Sequence, residues 1–451
     1  MGSMTDHAIA FALGTRWQDL PPEVRHQTKR SFLDTLGALL AGAQTPVGRI
    51  MAQVAADQYG GNDATILADG RKVSAAGAAL ANGFAANALD IDDGYRMVKG
   101  HPGACALPPV LAAAEMTPQC SGEQFLTGLL VAYELGIRAG LIRHATSEKY
   151  HASGSWGAVA GAAAVGRLIS LIPGQLHHAM GCAEYHAPIA PMMKGIDTPS
   201  MGKDSIGWGC MVGVMSACMA RDGFTGITPL FDDTPHSEWV ENLGRCWEIL
   251  GLYFKPYAAC RWGQPAVAGA LSIIGKNRID PDQIGSIRVQ TFAAAARLPN
   301  VHPKTTEDAQ YSLAFPVAAA ILDGEVGPAQ VLPPRLNDRR LLRLMDQVAA
   351  EVSPAFDAAF PRKTIAEVSI TMTDGHTYHS GPVEAIWEPP DTLPDDGALE
   401  EKFRWLASPV IGEENAEALV RLIWEFDQCA SIAPLLRRCV SNQCPTDGGG
   451  Q

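Results

Sequence analysis

Apolar positions in the first 265 or so residues repeat at helical spacing. Phe32, Leu33, Leu36, Leu39 and Leu40 fall on one stripe of Val24–Leu40, which predicts an amphipathic helix. Ser121-Gly122-Glu123-Gln124 has the form of a capping box. The apolar residues after it (Phe125, Leu129, Val131, Leu135) predict a long helix starting there. Ala75–Leu89, Ala106–Ala114, Ala158–Leu171 and Gly207–Ala220 are helical segments, the last two dense in alanine and glycine, a composition that lets backbones approach closely. No alternation of β type runs to a useful length in this half.

The pattern changes after Lys255. A helix over Pro265–Ile274 leads into the turn Asp280-Pro281-Asp282, and Ser286–Phe292 then alternates with Ile287 and Val289 on one face, as a strand does. A helix is predicted over Asp308–Leu322, stopped by Gly324. Glu367–Met372 and His376–Ser380 flank Asp374-Gly375 as a hairpin. Trp387–Asp396 is rich in Pro and Asp and reads as a linker, after which Leu399–Leu406 and Ala416–Phe426 return to helix. The architecture expected is mainly α. A large all-helical domain (5–265 with 393–443) is built from both chain ends, a smaller α+β domain (266–392) is inserted in it, and 444–451 form a disordered tail. No internal repeat is present.

Composition narrows the function classes. At 47% hydrophobic and 18% charged residues over 451, the chain reads as a soluble globular protein with a sizeable core. A formal net charge of −13 argues against nucleic acid or an anionic membrane as partner. An anionic ligand would then need a local cationic pocket. The ten cysteines show no paired CxxC spacing and read as reduced thiols of a cytoplasmic protein. There is no signal-peptide pattern, and the small-residue tract Ala158–Ile172, interrupted by Arg167, is too short to span a bilayer.

Candidate chemistry concentrates in Asp90-Ile91-Asp92-Asp93-Gly94 and the following His101-Pro102-Gly103, where three carboxylates and an imidazole share one short loop. Such a pairing can hold a proton donor and an acceptor together, and the alternative is a solvated loop with His101 capping a helix. Lys203 precedes the small-residue helix from Gly207, so that lysine plus a helix N-terminus makes a carboxylate site, with a solvated loop lysine as the alternative. Lys255 sits in Phe254-Lys255-Pro256-Tyr257-Ala258-Ala259-Cys260-Arg261-Trp262, where burial demands an anionic partner or the side chain snorkels. His151 opens a Gly/Ala-rich helix, where an imidazole tends to be neutral; a structural histidine is the alternative. No HExxH, Walker A or dinucleotide fingerprint occurs, and the His and Cys spacings build no metal site.

Taken in order, these segments resemble the MmgE/PrpD family. The matching stretches are Ser31-Phe32-Leu33-Asp34-Thr35-Leu36-Gly37, Leu89-Asp90-Ile91-Asp92-Asp93 with His101-Pro102-Gly103, His151, Lys203, Lys255-Pro256-Tyr257 with Cys260-Arg261, Tyr311-Ser312-Leu313 and Glu401-Lys402-Phe403. The resemblance implies the MmgE/PrpD fold, a homodimer and chemistry without a cofactor or metal. It also implies that Asp90, His101, His151, Lys203 and Lys255 line a pocket between the domains as catalytic residues. Asp93, Gly94, Tyr95, Tyr257, Cys260 and Arg261 are the expected substrate-binding neighbours. The chain departs from the family at Gly94, where a threonine or similar polar residue is usual, at Phe315, where the decarboxylases carry tyrosine, and at Cys260, where histidine is usual. One residue is also inserted before His101. The loss of polar groups at Gly94 and Phe315 implies a less oxygenated or bulkier substrate than a tricarboxylate.

The expected function is a lyase, dehydratase or decarboxylase, acting on a small di- or tricarboxylate. Lys203 and Lys255, with Arg261, would take the negative charge that develops next to a carboxylate, and Asp90 and His101 would move the proton. An epimerase or double-bond isomerase is the runner-up, and a non-catalytic carboxylate-binding protein a third reading.

Overall fold

The computed structural model describes residues 3–440, so the tail expected at 444–451 lies outside the described residues. Two apolar cores organise the chain. The first joins the helices of residues 4–254 with those of 399–439, and the second gathers residues 258–370 with a few from the larger body, Leu89 and Ile91 among them. Both chain ends therefore build the larger body. The helix Asp396–Ile411 packs along Pro22–Gly42, burying Leu399, Phe403 and Leu406 against it.

At the centre lies the helix Gly122–Thr146. Its capping box forms as the sequence predicts, with Ser121 Oγ accepting from Gln124 N (3.2 Å) and Gln124 Oε1 accepting from Ser121 N (2.9 Å). This helix is long and apolar enough to cross a membrane, but its apolar stretch is wholly buried within the protein, as for a core helix. Against it packs Gly154–Leu168, which in turn packs on Ile206–Arg221. That second contact depends on missing side chains. A Cβ on Gly154 would sit 2.2 Å from Ser205 O, and one on Gly209 would sit 2.5 Å from Gly154 O.

The smaller body carries a four-stranded sheet in the order Val348–Val352, Ile284–Thr291, Ile365–Met372, Thr377–Glu384; the first pair is parallel and the others antiparallel. The helix Gln264–Lys276 covers one face of the last two strands. Three local expectations change. Val348–Val352 is a strand although Ala349 and Ala350 are poor strand formers; it survives as a mostly exposed edge held by its partner. The helix expected over 308–322 is two, Thr306–Gln310 and Ala314–Asp323. Pro316 has no N–H to donate to the Ser312 carbonyl, and Ser312 Oγ accepts from Phe315 N (3.1 Å). The larger body also contains a two-stranded pairing, Ala64–Thr65 with Lys72–Val73, too short to show alternation.

Beneath the acidic loop runs a buried polar network that ties both chain ends to it. Lys402 Nζ, from the C-terminal helix Asp396–Ile411, pairs with Asp34 of Pro22–Gly42 and donates to Ile91 O (2.7 Å). Asp93 does not face outward. Its Oδ1 accepts from Gly103 N (2.8 Å), satisfying one of the free donors at the start of Pro102–Met116, and its Oδ2 accepts from Tyr133 OH (2.7 Å). Burial, reinforced by Asp34, pushes the Asp93 carboxyl up to about 8, so it is a neutral acid at neutral pH.

In the unfolded chain Asp93 ionises above about pH 4. The stabilisation that goes with its raised folded value is therefore complete below pH 4 and is lost as the pH climbs towards about 8. Asp93→Asn keeps the neutral form at every pH. Melting temperatures of the two proteins between pH 4 and 8 should show the variant gaining on the parent as pH rises; a constant difference would mean that Asp93 is ionised in the fold.

Candidate active site

The site begins where the helix Ala75–Asn87 ends. Asp90 N donates to Asn87 O (3.1 Å), and Asp90 takes a left-handed conformation (φ 52°), which aspartate tolerates better than most side chains. Its carboxylate receives two cations on one oxygen, Lys255 Nζ at 2.8 Å and His101 Nε2 at 3.2 Å from Oδ1. The other imidazole nitrogen, Nδ1, lies 3.1 Å from Asp92 Oδ2 and 3.1 Å from the Asp93 carbonyl. Asn87 Nδ2 donates to Asp92 Oδ1 (2.9 Å). Asp90, Asp92, His101 and Lys255 are all buried.

Each partner is held by its own element. His101 stands at the N-cap of Pro102–Met116, and its backbone N–H donates to Ser153 Oγ (3.2 Å). Ser153 Oγ in turn donates to Asp204 Oδ1 (2.9 Å). Lys255 lies on an irregular segment clamped from three sides: Tyr253 pairs with Gly94, Phe254 N donates to Trp387 O (3.0 Å), and Cys260 N donates to Gln310 O (2.8 Å). Lys255 is only 1% exposed, and its Nζ makes the ion pair to Asp90 but no aligned hydrogen bond, so its donors remain open to a ligand.

The electrostatics follow from this packing. Burial alone would raise the Asp90 carboxyl, but Lys255, then Lys203, then the hydrogen bond from His101 outweigh it and hold it well below the usual carboxylate range. Burial alone would lower His101. The Asp92 charge, with hydrogen bonds to Asp90 and Asp92, reverses this and holds the imidazole well above its ordinary value. At neutral pH the site is an imidazolium between two carboxylates, with an ammonium on the nearer one.

Lys203 reaches the site by a different route from the one its sequence position implies. It does not sit over the N-terminus of Ile206–Arg221. From a left-handed backbone (φ 38°) its Nζ crosses to the carbonyl end of Ala75–Asn87, donating to Asn87 O (2.6 Å) and to Gln310 Oε1 (2.8 Å). The negative end of that helix favours a cation there. Gln310 Nε2 donates to Ala88 O (2.9 Å), so one side chain from the smaller body fixes both the lysine and the helix end.

The other expected residues make no direct contact with the Asp90 carboxylate, and most are held by partners of their own. His151 pairs through Nε2 with Ser147 Oγ (2.7 Å), and its Nδ1 is buried without a hydrogen-bond partner. Burial, with Arg143 and Lys149, lowers its pKa and keeps it neutral. Tyr95 turns away, its hydroxyl donating to Glu248 and its ring packed over Gly251. Tyr257 packs among apolar residues of the smaller body, and its carbonyl accepts from Gln264 Nε2 (3.0 Å). Arg261 is not a free cation, because Glu388 Oε1 lies 2.6 Å from its guanidinium and Glu388 also pairs with Arg96. Glu388 sits within the segment read as a linker, which is thus a strap anchored by buried Glu388 and Pro394, with exposed residues between them. Cys260 lies within the fields of Asp90 and Lys255, and burial, helped by Asp90, pushes its thiol up to about 12, so it is neutral.

Asp92, Ser153, Asp204, Gln310 and Tyr311 join the site although the sequence reading did not assign them a role. Tyr311 OH lies 3.5 Å from Asp204 Oδ2, and Lys203 Nζ lies 5.9 Å from its ring centre. The adjacency of Asp204 to Lys203 and of Gln310 to Tyr311 was the available signal.

Among the described residues, Asp90, Asp92 and His101 bring ligand atoms within 4.8 Å of one another, the spacing a metal ion would use. The imidazole lies between the two carboxylates, however, with a nitrogen on each, and an ammonium already occupies Asp90. That arrangement fits a chain of ion pairs better than a common coordination point.

Both halves of the chain match a known protein family. Residues 7–236 match the MmgE/PrpD N-terminal domain and residues 257–428 the MmgE/PrpD C-terminal domain. Relatives include the cis-aconitate decarboxylase-like protein oryM of Aspergillus oryzae, 26% identical with 96% of this chain and 97% of that protein covered. A cis-aconitate decarboxylase of Aspergillus terreus is 23% identical (96% and 95% covered), and that of Homo sapiens 24% (96% and 95%). With both domains matched in order, and with the acid loop, the histidine and the two lysines drawn together between them, the chain belongs to the MmgE/PrpD family.

Proposed function

We propose that this protein is a lyase that decarboxylates a small unsaturated di- or tricarboxylate, and that cis-aconitate, named in its relatives, is the first substrate to test. The observation that carries this reading is the seat of His101 between the Asp90 and Asp92 carboxylates, one on each ring nitrogen, which favours its protonated form. A group already carrying its proton cannot act as a base, and an aspartate held so far below its usual range is a weak one. Both favour a reaction in which the enzyme supplies a proton to carbon.

Decarboxylation has that demand. The bond between carbon and the departing carboxylate breaks, CO2 leaves, and the electron pair passes into the conjugated remainder. Lys255 and Lys203 oppose the charge that gathers there, in a setting where water does not screen it. His101 then delivers its proton to carbon and regains one from solvent. From cis-aconitate the products are CO2 and a five-carbon unsaturated dicarboxylate. Dehydration and epimerisation begin instead by removing a proton from carbon. Of the assigned groups His151 has the neutral imidazole such a step needs, but it is hydrogen-bonded to Ser147.

The protein also reads as a cytoplasmic homodimer. The nine described cysteines are unpaired, in keeping with a reducing compartment. Along Ile206–Arg221 an apolar stripe with exposed Trp208 and Met215 continues through half-buried Met211 and Met51 to exposed Ile50 and Val54, a face suited to a second copy of this chain.

Incubation with cis-aconitate in deuterium oxide should release CO2 and leave one deuterium on product carbon, read by NMR. Exchange into recovered substrate without CO2, or addition of water across its double bond, would overturn the decarboxylase reading in favour of an isomerase or a dehydratase. His101→Gln keeps an N–H donor for one carboxylate but has no proton to give. In the folded variant kcat should fall by about 10²–10⁴-fold, and near-parental turnover would remove His101 from the step. Light scattering should report twice the 47.9 kDa of one chain; a single-chain mass would refute the dimer.

A further inference from the structure

We propose that Tyr253 is a substrate-binding residue, its hydroxyl occupying the space left by Gly94 and donating a hydrogen bond to a carboxylate of the polycarboxylate that Lys255 holds. This rests on the substrate class proposed above and adds to it a residue outside the expected set.

Three observations carry it. Tyr253 and Gly94 form an antiparallel bridge, with Gly94 N donating to Tyr253 O (3.0 Å) and Tyr253 N to Gly94 O (2.9 Å). The Tyr253 hydroxyl feels the charge of Asp90, the same carboxylate that Lys255 meets at 2.8 Å. Second, a Cβ on Gly94 would lie 2.2 Å from both Cζ and the hydroxyl oxygen of Tyr253. The phenol fills the volume that a side chain at position 94 would take. Third, Tyr253 is 5% exposed, and among the described residues its hydroxyl makes no hydrogen bond. The hydroxyl oxygen keeps some accessible surface, so a ligand can reach its free donor.

The ring is held for this task. The Arg261 guanidinium lies 4.9 Å from its centre and is itself fixed by Glu388 at 2.6 Å, so the strap behind the site sets the angle of the phenol. Burial raises the hydroxyl well above the ordinary tyrosine value, which keeps it a donor at every working pH. The glycine at 94 is therefore no loss of polarity. The hydroxyl group expected there enters from the opposite segment, and the inference of a less oxygenated substrate does not hold at this position.

Tyr253→Phe keeps the ring, its fit over Gly94 and its contact with Arg261, and removes only the hydroxyl. With cis-aconitate the KM should rise about tenfold or more while kcat stays within about twofold, the pattern of a lost contact equal in ground and transition states. Calorimetry with tricarballylate, a saturated tricarboxylate, should show a matching loss of affinity. Unchanged KM and Kd would overturn the proposal, as would a fall in kcat alone. If the parent releases no CO2 but binds tricarballylate, the decarboxylase reading fails while the affinity comparison still decides the role of Tyr253. If the parent binds neither acid, both fall. Gly94→Thr should abolish binding in the parent by clashing with the phenol. Combined with Tyr253→Ala, it should bind tricarballylate more tightly than Tyr253→Ala alone, because a hydroxyl returns to the same space; equal or weaker binding would count against the assignment.

Discussion

A carboxylate buried with two cations on one oxygen is stable only if every group around it is held in place, and Asp90 sets that requirement for this protein. Removing such a charge from water is expensive, and the attraction of Lys255 and His101 offsets the loss only when the geometry is tight. The surrounding structure supplies that geometry. Asp92 and Asn87 steady the far side of the imidazole, Ser153 and Asp204 hold its backbone, and Gln310 pins the second lysine to a helix end. Three cations then act on Asp90, which explains how a chain with net charge −13 offers a site to an anion.

The same requirement explains why the chain ends return to the middle. Lys402, about 300 residues beyond the loop, reaches the Ile91 carbonyl and the Asp34 carboxylate, so the acid loop rests on a second buried ion pair contributed by the first and last parts of the chain. The smaller body contributes from the other side through Gln310, and the strap through Glu388. Packing of small residues between Gly154–Leu168 and Ile206–Arg221 brings Ser153 and Asp204 close enough to share a hydrogen bond. The site is thus a product of both cores meeting, and neither body carries it alone.

Charge state connects this architecture to chemistry. The two carboxylates that fix His101 also keep its proton on it, and the two lysines that fix Asp90 also lower its basicity. Positioning and acidity are one effect here, since moving either partner would change both. Neutral groups nearby (the Cys260 thiol, the Tyr253 and Tyr311 hydroxyls, protonated Asp93 behind the loop) add polarity without adding charge.

Helical spacing, the Ser121 capping box, the hairpin at Asp374-Gly375 and the ordered run of acids, histidine and lysines were legible in the sequence, because each depends on residues near one another in the chain. The strand at Val348–Val352 was not, since pairing with Ile284–Thr291 overrides its weak local preference. The reach of Lys203 to Asn87, the neutralising of Arg261 by Glu388, the turning of His151 to Ser147 and of Tyr95 to Glu248, and the seating of Tyr253 on Gly94 were likewise decided only by the fold. Which residue types are present is local information. Which way a long side chain points, and whether its charge is already spent on a partner hundreds of residues away, depends on contacts that exist only once the chain has closed on itself.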